Sequence, residues 1–303
     1  MLKPVQRVTM MAIIGIVGLI FMSPSAHAAD PVQLINITPS AASLKVDPGA
    51  TVKASVDVLN KGTIPFTVSL SSAPYYVEGL NYDPHFTQLP GTIDASQWVH
   101  FISSAAPQNL TPKTLLPVDY EVQVPAGTPA GGYYAVIFAK TGAAVSGTGV
   151  GLHGRVGEIL YITVNGAVKN EGTARENSVP TAITHTPVVL NVIVGNKGGV
   201  HFSTKVDVTI KTLFGKTAFS YTTDRYILPQ TEREMSTTWS PTVPFGIYRV
   251  ERTATLPSGV SNLASQWVLV IQPWVIIALI AIIIVIVGVT IVNIRRVGRQ
   301  HRS

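Results

Sequence analysis

Residues 274–294 hold 21 consecutive positions without a charge, nine of them Ile and five Val. As a helix rising 1.5 Å per residue, that run is about 31 Å long, which matches the hydrocarbon core of a bilayer. A water-soluble core seldom tolerates such uniform hydrophobicity, and here Arg295, Arg296, Arg299 and Arg302 follow at once with no acid among them. The run therefore reads as a transmembrane helix over 273–294, with a basic tail at 295–303 that the positive-inside rule keeps in the cytoplasm. Trp267 and Trp274 stand before or at its outer edge, where an indole favours the headgroup layer. Trp274, Arg295 and Arg296 are the expected membrane-edge residues.

The other end has a different grammar. Lys3 and Arg7 precede the apolar run Val8–Met22, and the small residues Ala26, Ala28 and Ala29 follow. A charged start, an apolar middle of about 15 residues and an A-x-A end make a secretory signal. We expect residues 1–29 to be that signal, with cleavage after Ala28 or Ala29, and the region between the two ends to be extracellular. The formal charge of +6 then reflects topology, because Lys3, Arg7 and the four tail arginines account for six of the 22 basic residues. The remaining 16 basic residues balance 16 acidic ones. No basic patch with interleaved aromatics appears, so nucleic acid is excluded as a partner. The chain has no cysteine, which removes disulfides, Cys metal ligands and Cys nucleophiles, and leaves stability to core burial.

Between the ends, the periodicity is two. Val52, Ala54, Val56 and Val58 alternate with Lys53, Ser55 and Asp57, and Val206, Val208 and Ile210 alternate with Asp207 and Thr209. This is the pattern of half-buried antiparallel strands. Further strands are expected at 32–38, 97–103, 118–124, 132–140 and 155–164. In the second half they fall at 187–194, 219–222, 233–239, 246–254 and 263–271. Pro and Gly clusters such as Asp47-Pro48-Gly49 punctuate them. The expected fold is all-β: two tandem immunoglobulin-like β-sandwich domains plus one C-terminal transmembrane helix. The polar stretch 170–180 reads as a linker between domains at 30–169 and 181–272.

An internal echo supports that division. Asn60-Lys61-Gly62 ends a strand in the first half, and Asn196-Lys197-Gly198 ends one in the second. Later in each half comes P-x-G-x-Y, at Pro129–Tyr133 and Pro244–Tyr248. The stretches 46–62, 124–140 and 154–166 resemble the N-terminal domain of the WxL-interacting surface proteins of Gram-positive bacteria. Stretches 194–216, 226–241 and 245–253 resemble the membrane-proximal domain of that family. The resemblance implies two Ig-like domains on a C-terminal anchor, peptidoglycan bound through the first domain, and host or partner proteins bound through the second. The middle of the first domain, 74–107, departs most from the family pattern.

The sequence carries few catalytic motifs. Gly149-x-Gly151-x-x-Gly154 is a literal GxGxxG, but it lies in a loop between two strands, where no helix opens to hold a pyrophosphate. His85, His100, His153, His185 and His201 show no metal-ligand spacing. No G-x-S-x-G elbow or S-x-x-K motif occurs, and Glu232 and Glu234 read as a solvated strand face. We expect no enzyme, no cofactor and no metal. The aromatic, Pro-rich stretch carrying Tyr75, Tyr76, Tyr82 and Phe86, and the 141–154 loop with His153, are the candidate ligand-contact loops. Core packing is the competing reading of those tyrosines. The functional expectation is a membrane-anchored cell-surface binding or scaffold protein that contacts a cell-wall polymer or surface proteins, in adhesion or envelope attachment. An accessory ectodomain subunit of a membrane complex ranks second, and an enzyme with a site assembled from loops ranks last.

Overall fold

The computed structural model describes residues 32–102, 106–142 and 154–300, with 293–300 described as helix backbone only. The segment expected to be a signal, His153, and the side chains of Arg295 and Arg296 lie outside the described residues. In the N-terminal half the strands are β1 (Ile35–Thr38), β2 (Ala41–Val46), β3 (Thr51–Asn60), β4 (Phe66–Pro74), β5 (Tyr76–Glu78), β6 (Asp83–His85), β7 (Val99–Phe101), β8 (Gln108–Leu110), β9 (Leu115–Gln123), β10 (Gly131–Thr141) and β11 (Arg155–Val164). The C-terminal half has β12 (Gly172–Glu176), β13 (Ala182–Ile183), β14 (Val188–Asn196), β15 (Phe202–Thr212), β16 (Thr217–Ile227), β17 (Glu232–Trp239), β18 (Phe245–Leu256), β19 (Gly259–Asn262) and β20 (Gln266–Ile271). One helix, α1 (Pro273–Gln300), follows directly. Among the described residues the chain is mostly β-sheet, with one C-terminal apolar α-helix.

The two halves have the same strand order. In the first, β1-β3-β9-β7 faces β2-β11-β10-β4-β8; in the second, β12-β14-β17 faces β13-β20-β18-β15-β16. Even the parallel pairings correspond, β2 on β11 and β13 on β20. Alternation does the local work. On β3, Val56 and Val58 turn inward to meet Ile137 and Leu160 from the opposing sheet, while Lys53 and Ser55 stay in water. On β15, Val206, Val208 and Ile210 do the same against Leu190 and Val192. Each such fully buried side chain contributes roughly 1.5–3 kcal/mol.

The sequence echo has a physical cause. Asn60 donates from Nδ2 to the carbonyls of Ile64 (2.9 Å) and Leu110 (3.0 Å), and its Oδ1 accepts the Gly62 N–H at 2.9 Å. Asn196 repeats the set on Val200, Ile227 and Gly198. Both asparagines are buried, and each pins the turn leaving its strand. A Cβ on Gly62 would lie 2.2 Å from the Val32 carbonyl oxygen, and one on Gly198 2.5 Å from that of Lys169, so neither position accepts a side chain. The second echo also pairs off: Tyr133 packs on Trp98, and Tyr248 on Trp239, each at 4.9 Å between ring centroids.

Two findings depart from the sequence expectation. Residues 172–176, inside the stretch read as a linker, form β12 and pair antiparallel with β14, so little free chain separates the halves. The segment between β4 and β8 is an insert absent from the second half, where β15 turns straight into β16. It carries the β5–β6 hairpin, a 3-10 turn at Ala95–Trp98 and β7. Helix α1 has no buried side chain among those described and is exposed at most of them, and Pro273–Val292 is long and apolar enough to cross a membrane.

Candidate functional site

The insert folds back onto the C-terminal half, and a third apolar cluster forms at the seam. It joins Tyr75, Val77, Tyr82 and Tyr161 from the first half to Leu228 from the second, with Phe86, Tyr134 and Tyr226 packed against them. Tyr82 is the peg. Its hydroxyl accepts the Leu228 N–H at 2.5 Å and lies 2.7 Å from the Thr231 hydroxyl. Because Thr231 Oγ1 donates to the Leu228 carbonyl at 2.8 Å, the Tyr82 hydroxyl donates to Thr231. The Arg233 guanidinium covers the Tyr82 ring at 4.4 Å, and the Glu234 N–H donates to the Leu80 carbonyl at 2.9 Å. Tyr82 holds φ at 63°, a left-handed conformation that a non-glycine residue adopts at a cost of about 1–2 kcal/mol. The contacts above offset that cost.

A second set of contacts closes the seam beside the first. The Tyr134 hydroxyl accepts the His201 N–H at 3.1 Å and lies 3.2 Å from His201 Nδ1. The His201 ring packs between Tyr134, Tyr161 and Tyr226, with centroids 5.1–5.6 Å away. Burial, with a smaller push from the Lys45 charge, holds the His201 pKa down to about 4. The ring is thus neutral near pH 7 and shares one hydrogen bond with the Tyr134 hydroxyl through Nδ1. The Gly132 N–H donates to the Gly199 carbonyl at 2.9 Å. A Cβ on Gly132 would meet the Tyr134 hydroxyl at 2.2 Å, so glycine is needed for this approach.

The seam leaves a cleft on each side. One, of about 490 Å³, is walled by Tyr75, Tyr76, Gln88, Asp94, Tyr133 and Gln230, among others. The other, of about 410 Å³, is more polar and is lined by Lys45, Asn165, Asn170 and His201 among others. The first combines aromatic faces with convergent amide and carboxylate groups, the composition of a contact site for a polar, partly apolar ligand. Gln230 is fixed there by its Nε2 donating to the Gly198 carbonyl at 3.1 Å. Among the described residues, no group of three His, Asp or Glu could hold a metal.

The residues singled out from sequence divide in three. Tyr75 and Tyr82 are only 8% and 7% exposed, so the expectation that they offer free contact area from a loop is corrected: the insert docks, and their rings become the interior of a joint. Burial lifts the Tyr75 hydroxyl to about 12. Tyr76 and Phe86 are half-buried. Tyr76 stacks on His85 at 4.8 Å and faces the first cleft, whereas Phe86 packs edge-on to Phe138 at 4.9 Å under the Arg155 guanidinium. His153 lies outside the described residues, although Thr141 and Gly154 clasp the ends of its loop, the Gly154 N–H donating to Thr141 Oγ1 at 2.8 Å. Trp274 starts α1 and donates from Nε1 to Gln272 at 2.8 Å. Sequence reasoning missed Tyr134, Tyr161, His201, Tyr226 and Leu228. Their one signal is that residues 133–139 are apolar without alternation, as a strand covered on both faces must be.

No family model matches the chain, and no curated protein matches it. Similar solved structures include the class 5 fimbriae chaperone CfaA, at 10% identity over 79% of this chain and 100% of that one, with a TM-score of 0.40. The Salmonella enterica SafA pilin in complex with the SafB chaperone matches at 12% identity, over 79% of this chain and 97% of that one, with a TM-score of 0.39. The ASH/PapD-like domain of human CEP192 matches at 17% identity, over 47% and 96%, with a TM-score of 0.31. Likeness this distant carries no function with it.

Proposed function

We propose that this chain is a non-enzymatic binding and scaffold protein of the cell surface: two tandem immunoglobulin-like sandwiches, joined stiffly at the tyrosine seam and held at a membrane by α1. The observation that carries this reading is the 490 Å³ cleft at the seam, where Tyr76, Gln88, Asp94 and Gln230 converge from both halves. A groove built by two folded units and floored by aromatic rings suits an extended polymer or a protein segment. The resemblance to the WxL-interacting surface proteins supplies the ligand class, a cell-wall polymer or a surface protein. The first half stands outermost in this reading, and the basic tail lies in the cytoplasm.

The test uses the full chain in detergent or liposomes, with purified peptidoglycan sacculi and an extract of surface proteins as probes. Tyr76→Ala with Gln88→Ala strips the cleft wall without touching the Tyr82 or His201 contacts. That pair is expected to weaken binding about tenfold, or about 1.4 kcal/mol, at unchanged melting temperature. Retention of full affinity by the double variant would remove the cleft from the proposal, and failure of the unaltered chain to hold either probe would remove the function.

A further inference from the structure

In the N-terminal half, the outer face of the larger sheet is covered. Tyr134 and Tyr161, cross-strand partners on β10 and β11, lie beneath the insert and Tyr226. The pair in the same place on the C-terminal half is Arg249 and Trp267, and Trp267 is 48% exposed. Beyond it, toward the end of β20, this face turns wholly apolar. Ile247 pairs with Leu269, and Phe245 with Ile271. The Leu213 N–H donates to the Ile247 carbonyl at 3.0 Å, which brings the β15–β16 turn alongside. Phe214 at that turn is 94% exposed. Single surface hydrophobics are ordinary, but a contiguous patch beside a covered equivalent calls for an occupant.

We propose that this rim rests in the headgroup–acyl boundary of the bilayer that α1 enters, so that the C-terminal half binds lipid as well as being tethered by the helix. The proposal rests on the reading of α1 as a spanning helix. Only Gln272 separates β20 from α1, so Phe245 and Ile271 lie roughly 7 Å of extended chain from the start of the helix. That is comparable to the thickness of a headgroup layer. Phe214, Phe245 and Trp267 continue the aromatic edge begun by Trp274: Trp favours the headgroup layer, and Phe is among the residues that interfacial segments bury at the headgroup–acyl boundary. Moving away from α1, the face becomes charged. Lys211 and Arg249 pair with Glu251 at 2.7 and 3.3 Å. This order, apolar nearest the helix and ionic farther out, follows the polarity gradient of a bilayer surface.

The chain has no cysteine, so a single introduced one can carry an environment-sensitive fluorophore. The full chain is reconstituted into phosphatidylcholine–phosphatidylglycerol vesicles with label at Phe214→Cys, at Lys216→Cys (which leaves Phe214 in place), at Ile284→Cys in α1, and at Ser55→Cys on β3. A lipid nitroxide near the head of the acyl chain is expected to quench positions 214 and 216 at least twofold, one near the acyl terminus to quench 284, which lies mid-span, by as much, and both to leave 55 unchanged. Aqueous iodide should show the reverse. Adding Phe214→Ser and Phe245→Ser to the 216 label should abolish its lipid quenching. Lipid quenching at 284 but not at 214 or 216 overturns the proposal and leaves the anchor reading intact. No quenching at 284 overturns both. Shielding of 214 from iodide without lipid quenching would mean that a protein covers the rim, which also overturns it.

Discussion

Asn60 and Asn196 show how one side chain can define a fold repeat. Each serves two carbonyls and one N–H at a strand end where the backbone turns away from its sheet. Replacing either by Ala leaves three buried polar groups without partners and should cost about 3 kcal/mol. Equal losses for Asn60→Ala and Asn196→Ala in denaturant titrations would match the geometry. Two ionisable residues act oppositely on stability. His201 binds a proton less readily folded than unfolded, so its contribution is complete above pH 6.5 and is lost as pH falls toward 4. Glu158 is fully buried under the Tyr120 hydroxyl (3.2 Å), and burial raises its carboxyl to about 7. Its contribution is present in acid and lost as pH rises from 4.5 through 7, by about 3 kcal/mol. Glu158→Gln should therefore be more stable than the parent at pH 8, with the gap closing below pH 4.5, as read by melting temperature across pH.

At the scale of elements, the β5–β6 hairpin ties the two halves together through Tyr82. Tyr82→Phe deletes the acceptor for the buried Leu228 N–H and should cost about 2 kcal/mol at the seam alone. Hydrogen exchange would show this as faster opening at Leu228 with unchanged protection at Val56 and Val208. Legibility followed the same lines. β11 was readable end to end, because 155–164 is dense in apolar residues and bounded by glycines in the sequence. β4 carries Phe66, Val68 and Leu70 inward but is absent from the strands expected from sequence, because the Pro and Ser around it mask the alternation. β12 is polar because it is a short edge strand with one covered side, and such a strand cannot be told from a linker without its partner. The first-cleft residues Tyr75 and Tyr76 stood out as a cluster, whereas His201 and Tyr226 did not. Their role depends on an insert more than 100 residues away finding them, and no local pattern encodes that.

At the scale of the whole molecule, repetition explains both interfaces. The end of the first half that carries the insert meets the second half, and the corresponding end of the second half carries the bare Phe214 turn and α1. The same architectural position is thus used twice, once against protein and once against whatever α1 enters.

The single residue between β20 and α1 also has a mechanical meaning. A pull on the distal half reaches the helix through β20, which is held by antiparallel pairs to β18 from Gln266 to Ile271 and by a parallel pairing to β13. A load along that strand must slide all of those backbone hydrogen bonds together instead of opening them one at a time. The strand that continues into the helix is therefore clamped in shear.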